Sequence, residues 1–367
     1  MYPEPRTAAR ALKVLTVPRA VWGPGIARFK PGLEPDPHVV GRILADHRIE
    51  SSFVDPYDFP WNPFRGRDSL LQSIDPVRSF RILLKERAAD IIVAAGEGGA
   101  LLPLLLRGPF RFKAPIALWD IGFGSRWRLR QRILQAVVPG ADAIFVLSTS
   151  QKHHVETRWA PRGEVVVVGH MVDTDFIHPI DAPGFDHVLS IGDDTGRDYA
   201  TLLHATAGLD CDLVIRSSSS LPDWADCLPR VTALRERLSY TALRDLYARA
   251  KFVVVPVHET LNASGVTSVL EAAAMGKAVI VSGSQALADF SIPEETCIRV
   301  PCGDVDAMRA AIIRLIGDPS ACARLGGNAR RFVLEHHSME AFYARYASAL
   351  RRVVETRREG GCSNRNQ

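Results

Sequence analysis

With 367 residues, 47% of them hydrophobic and 23% charged, the chain has a globular composition and enough length for two cores, which excludes a disordered or fibrous protein. A net charge of only +4 excludes a chain-wide nucleic-acid-binding role. The six cysteines, Cys211, Cys227, Cys297, Cys302, Cys322 and Cys362, form no C-x-x-C pair, so free thiols are expected rather than a zinc site or disulfides.

In chain order, Leu12–Val17 reads as a buried strand. A Gly/Pro turn over Trp22–Gly32 and a helix from Asp36 to His47 follow, then a strand at Ile49–Val54. Ala89–Ala94, Ala114–Trp119, Ala141–Leu147 and Glu164–Gly169 repeat the pattern. Fully apolar strands alternating with helices predict a parallel sheet covered on both faces. Asp181–Asp186 reads as a linker. A second series starts at His187–Ile191 and continues through Asp212–Ile215, Phe252–Pro256, Ala278–Ser282 and Ile298–Val300. Helices are predicted at Asp198–Ala207, Tyr240–Ala250, Val266–Met275 and Met339–Thr356. The fold class is therefore α/β, with two Rossmann-like halves. The predicted domains are 1–180 and 181–338, then a C-terminal helix over 339–357 returning to the first half, and a disordered tail over 358–367. Met1–Arg10 lacks the apolar core of a secretory signal and no apolar run is long enough to span a bilayer, so a cytoplasmic protein is expected.

The densest chemical signal runs from Asn262 to Ile280. Small residues, Ser264 and Gly265, open a helix through Val266 and Thr267. Unpaired first-turn amides and the helix dipole suit a diphosphate. Gly265 lets the backbone approach closely, and the hydroxyls of Ser264 and Thr267 add donors. Glu271, in the same helix, can accept from a ribose diol. An ordinary N-capped helix carrying a surface Glu fits the same pattern.

The stretch His258–Ile280 resembles the donor site of retaining family 4 glycosyltransferases (glycosyl transferases group 1), which have the GT-B fold. Val168–Pro179 resembles their passage into the second domain. Val188–Gly192 with Gly196–Tyr199 resembles their first strand and phosphate turn, and Gly327–Arg331 with the last helix resembles their C-terminal end. The resemblance implies a nucleoside-diphosphate-sugar donor, UDP- or GDP-linked, with no separate cofactor and no metal. Glu271 matches the ribose ligand, Ser264 and Gly265 match the diphosphate cradle, and Arg197 falls close to the base that neutralises the leaving diphosphate. The segment from Leu234 lies near the nucleobase. Gly25, in Gly23-Pro24-Gly25, matches a glycine loop lining the cleft, although an ordinary turn fits it equally.

Three departures bear on chemistry. Ala263 stands where the family commonly has a sugar-contacting Glu, with Glu259 either a substitute or a solvated loop charge. Asp193 replaces an Arg after the first glycine. Trp119-Asp120 occupies the place of a His near the sugar, which leaves Asp120 as the acid–base candidate of the first half. Arg126, Arg128, Arg130 and Arg132 form a basic patch that suits an anionic acceptor or a membrane surface, or simply a solvated helix face. The predicted activity is transfer of a sugar to the hydroxyl of a glycan, lipid-linked sugar or small molecule. The alternatives are a sugar-nucleotide epimerase and a non-catalytic module of this fold that supports a partner.

Overall fold

The computed structural model describes residues 10–18, 29–55, 58–59, 75–86, 88–96, 99–119, 128–182, 187–219 and 221–363, with backbone alone for 128–131 and 360–363. The first half runs β1 (Leu12–Val17), α1 (Val39–Asp46), β2 (Ile49–Phe53), α2 (Pro76–Lys85), β3 (Ile91–Ala95), α3 (Leu101–Leu106), β4 (Ile116–Trp119), α4 (Arg128–Val137), β5 (Ala143–Val146), α5 (Thr149–Trp159) and β6 (Glu164–Val167). Its strands form one parallel sheet in the order β2-β1-β3-β4-β5-β6.

The second half runs β7 (His187–Ile191), α6 (Tyr199–Thr206), β8 (Leu213–Arg216), β9 (Val231–Leu234), α7 (Tyr240–Arg249), β10 (Ala250–Val255), α8 (Val266–Ala274), β11 (Val279–Ser282), β12 (Ile298–Val300), α9 (Val305–Gly317), α10 (Pro319–His336) and α11 (Met339–Ser363). These strands also form one parallel sheet, in the order β12-β11-β10-β7-β8-β9.

The continuous apolar runs are explained by burial on both faces. In β3, Ile92 and Ala94 point into one core while Ile91 and Val93 point into the opposite one. In β10, Phe252 and Val254 serve one face and Val253 and Val255 the other. A strand buried on two faces has no polar side to show, so its alternation vanishes.

The chain passes between the halves twice, and the two passages are bonded to each other. The Val172 amide donates to the His337 carbonyl at 2.9 Å, and Arg345 donates to the Val168 carbonyl at 3.4 Å. Beyond the second passage, Phe342, Tyr346, Leu350 and Val353 of α11 pack beside Leu12, Val14, Ile91 and Phe145 of the first sheet.

Two boundaries differ from the sequence reading. Val172, Phe176 and Ile177 are buried in the second half's core, so packing passes to that half before residue 180. The helix at the C-terminus continues to Ser363, through residues expected to form a disordered tail from 358. Its apolar face at Val353 and Val354 is still buried, and good helix formers such as Arg and Glu carry it onward.

Candidate functional site

The site lies where the second sheet changes direction. From β7 the chain winds outward through β8 and β9, then crosses back to β10 on the other side of β7. In an open parallel sheet the crevice at such a point, outside the strand carboxyl ends, is where ligands bind. The turn after β7 and the start of α8 meet there.

Arg197 is the centre of the arrangement. The Asp198 amide donates to the Pro256 carbonyl at 3.1 Å and the His258 amide to the Gly196 carbonyl at 2.9 Å, which pins the turn against the end of β10. Arg197 is thereby turned inward, with its side chain only 4% exposed. Its Nε donates to Asp194 Oδ2 at 2.9 Å and its Nη2 to Ser268 Oγ at 2.7 Å. Ser268 in turn donates to the Ile191 carbonyl at 2.8 Å. The buried Nη1 of Arg197 has no partner among the described residues. A buried guanidinium nitrogen left unpaired is costly, and at a helix N-terminus it marks a place for an acceptor.

The glycines make room for this group. A Cβ on Gly192 would lie 2.1 Å from Arg197 Nε. Gly265, the residue before α8, has φ +84°, and a Cβ there would meet Val255 Cγ1 at 2.6 Å and Arg197 Nη1 at 3.3 Å. Both glycines, expected to line a diphosphate, leave the room in which Arg197 is seated.

The first turn of α8 offers less than the sequence implied. The Ser264 amide donates to the Asn262 carbonyl and the Val266 amide to the Ala263 carbonyl, which leaves only the Gly265 and Thr267 amides of that run free of these turn bonds among the described residues. Ser264 Oγ donates to Asp194. Thr267 Oγ1 lies 3.3 Å from Nε2 of His170, a residue of the first interdomain passage that the sequence did not single out. Burial, and then the neighbouring His337, push His170 down to about 4, so its imidazole is neutral near pH 7.

Glu271 lies one helical turn beyond Ser268. It is not the solvated surface Glu that the bare pattern allowed. Tyr247 donates its hydroxyl to Glu271 Oε2 at 2.8 Å. Burial pushes the Glu271 carboxyl up to about 7, against the opposing pull of the Tyr247 bond and the Arg197 charge. A carboxyl poised at that value takes up or releases a proton according to what sits on it.

The remaining candidates separate. Glu259 accepts from Ser284 Oγ at 3.2 Å and from the Gln285 amide at 3.1 Å, so it caps the short 3-10 helix Gln285–Phe290 instead of standing free. Leu234 ends β9, and its carbonyl accepts from the Ser217 amide at 3.0 Å. Trp119 stacks on Phe342 of α11, with ring centroids 5.8 Å apart, so its ring faces a core helix. Gly25, Asp120 and Arg126 lie outside the described residues, as do the side chains of Arg128 and Arg130. Arg132 is exposed on α4. Asp193, in place of the family's Arg, accepts from Arg216 Nη1 and from the Ser218 amide. Burial raises its pKa, yet these bonds hold the carboxyl below its usual range. Among the described residues no group of three or more His, Cys, Asp or Glu is placed to hold a metal, and no helix is long and apolar enough to cross a membrane.

Comparison with known proteins bears on the fold and on family likeness. Residues 200–318, which include all of α8 and α6 from its second residue, match the family Glycosyl transferases group 1. An MMP alpha-(1->4)-mannosyltransferase from Mycolicibacterium hassiacum is 33% identical over 255 residues, 64% of this chain and 61% of the relative. The match thus spans about three fifths of the length of that curated relative. Among solved structures, sucrose-phosphate synthase from Thermosynechococcus elongatus aligns with a TM-score of 0.68 at 20% identity, over 94% of this chain and all of that one. A glycosyltransferase from Rickettsia africae gives 0.69 at 13% identity, over 94% of this chain and 99% of that one. Anabaena HepE in complex with UDP gives 0.63 at 13% identity, over 92% and 99%. These likenesses show the fold, which is GT-B.

Proposed function

We propose that the chain is a glycosyltransferase that moves a sugar from a nucleoside diphosphate to an acceptor hydroxyl with retention of configuration. The observation that carries this reading is the unpartnered, buried Nη1 of Arg197 beside Gly265 at the start of α8, with Glu271 further along the same helix. A diphosphate oxygen satisfies the arginine and the Gly265 and Thr267 amides together. The ribose diol donates to Glu271. As the sugar–phosphate bond lengthens, charge collects on the leaving diphosphate, where Arg197 and the amides are already oriented. Fixed donors aimed at developing charge are worth roughly 3–4 kcal/mol each. The UDP-bound HepE structure puts UDP-linked sugars among the donors to try, and the mannosyltransferase relative puts mannose first among the sugars, with GDP-linked sugars tested alongside.

Nucleoside diphosphates tested by thermal shift should stabilise the wild type by about 2.7 kcal/mol at 100 times their dissociation constant. Glu271→Ala should lose that shift. No stabilisation by any nucleotide, confirmed by calorimetry, overturns the reading. The charge state of Glu271 supplies a second expectation. The ribose needs the carboxylate, and burial holds the proton on Glu271 up to about 7. Nucleotide affinity should therefore fall roughly five-fold as pH drops from 7 to 6, with about half a proton released on binding at pH 7. Calorimetry in buffers of different ionisation enthalpy reads that proton, and Glu271→Gln should flatten the profile.

The basic run at Arg126, Arg128, Arg130 and Arg132 supports a peripheral membrane contact on the acceptor side. Co-sedimentation with anionic vesicles, lost in the four-fold Ala variant and at high salt, is the expected result. Equal sedimentation of the variant rejects the contact.

A further inference from the structure

Two arginines stand at the carboxyl ends of β7 and β8, and each is held by an aspartate of one turn. Asp193 accepts from Arg216, and Asp194 accepts from Arg197. These four side chains sum to zero charge, so the site as it stands holds no net positive charge on them for a diphosphate. The bonds of Asp194 are those an oxyanion would make. Its carboxylate accepts from Arg197 Nε at 2.9 Å, from the Gly196 amide at 3.0 Å and from Ser264 Oγ. Gly196 is required for this closure, because a Cβ there would lie 2.5 Å from Ser264 Oγ.

We propose that Asp194 is the resident anion of the site. Its carboxylate occupies the Arg197–Gly196–Ser264 position that a phosphate of the donor takes, and it swings out to water when a nucleoside diphosphate enters. The proposal rests on the nucleotide-sugar reading for its physiological ligand. The asymmetry of burial supports the direction of movement. The Asp194 side chain is 44% exposed and rehydrates readily, whereas the Arg197 side chain is 4% exposed and stays in place. With Asp194 seated, Arg197 still has an unpartnered Nη1, so the resident carboxylate satisfies the guanidinium only in part. A phosphate, with more acceptor oxygens and more charge, completes the set. After transfer, the returning carboxylate competes with the product diphosphate and speeds its release. Asp194 thereby sets how weakly the site holds product.

The test uses the full-length chain and two anions, inorganic pyrophosphate and a nucleoside diphosphate, titrated calorimetrically against wild type, Asp194→Asn and Asp194→Ala. Both variants should bind pyrophosphate roughly ten-fold more tightly, because one negative charge a few ångströms from the ligand is gone. In turnover, kcat should fall as product release slows. Unchanged or weaker pyrophosphate binding in the folded variants makes Asp194 an ordinary turn anchor and overturns the proposal, as does an absence of pyrophosphate binding in all three proteins. If pyrophosphate binding tightens while no nucleotide binds any form, the resident-anion proposal stands and the nucleotide reading fails. If nucleotide binds all three proteins with equal affinity, the reverse holds.

Discussion

Gly192→Ala should cost the protein its donor site while leaving both halves folded. The added methyl would lie 2.1 Å from Arg197 Nε and 2.3 Å from Cζ and Nη2, and the buried side chain can yield only by giving up its seat. The guanidinium must leave, breaking its bonds to Asp194 and Ser268. Overpacking of this kind costs about 1–3 kcal/mol of stability. The loss of one fixed charged donor costs about 100-fold or more in kcat/KM. The second substitution separates the two effects. Gly192→Ala with Arg197→Ala removes the clash, so stability should recover while nucleotide binding and turnover do not. Recovery of turnover in the double variant would show that Arg197 is not a donor-site group. Thermal denaturation and steady-state kinetics on the same preparations provide both readouts.

What the sequence made legible, and what it hid, follows the range of the interactions involved. Strands buried on both faces announce themselves locally, so β1, β3, β7 and β10 fall close to their predicted positions. The start of α8 is equally local, since small residues and Gly265 bracket it. β9 (Val231–Leu234) escaped, because an edge strand of four half-exposed residues carries no strong pattern. The partners of the site residues also escaped. Tyr247 lies 24 residues from Glu271, and Ser268 lies 71 from Arg197. Only the sheet's crossover brings them together. Glu259 looked available for chemistry for the same reason. Its receptor, the Ser284–Gln285 turn, is 25 residues away, and nothing in the intervening sequence signals the contact. Trp119 looked like a cleft residue because it ends a central strand. Its ring packs on α11, whose residues lie more than two hundred positions further along.

The buried pair Asp75–Arg78 belongs to this hidden class and leads to the other large expectation. Both side chains are 2% exposed. Asp75 caps α2 by accepting from the Arg78 amide at 3.3 Å, and its other oxygen holds Arg78 Nε. Arg78 Nη1 donates to the Pro18 carbonyl at 2.7 Å, and Ser79 Oγ donates to the Gly99 carbonyl at 3.3 Å. Pro18 and Gly99 lie just beyond the carboxyl ends of β1 and β3, where the first half's loops begin. The ion pair therefore anchors the loop root at Pro18, and the neighbouring Ser79 anchors the one at Gly99. Asp75→Ala leaves the Arg78 charge buried and unpaired, which typically costs about 3–5 kcal/mol, and it removes a helix cap worth about 1 kcal/mol more. Arg78→Met on that background removes the stranded charge with a side chain of similar reach, so much of the lost stability should return. The Pro18 carbonyl stays unpaired, so the double variant should be stable yet still weak toward the acceptor, with donor affinity near wild type. Denaturant unfolding of the first half gives the stability, and kinetics at saturating donor give the acceptor KM. An acceptor KM restored along with stability would mean that the pair holds the domain together without shaping its loops.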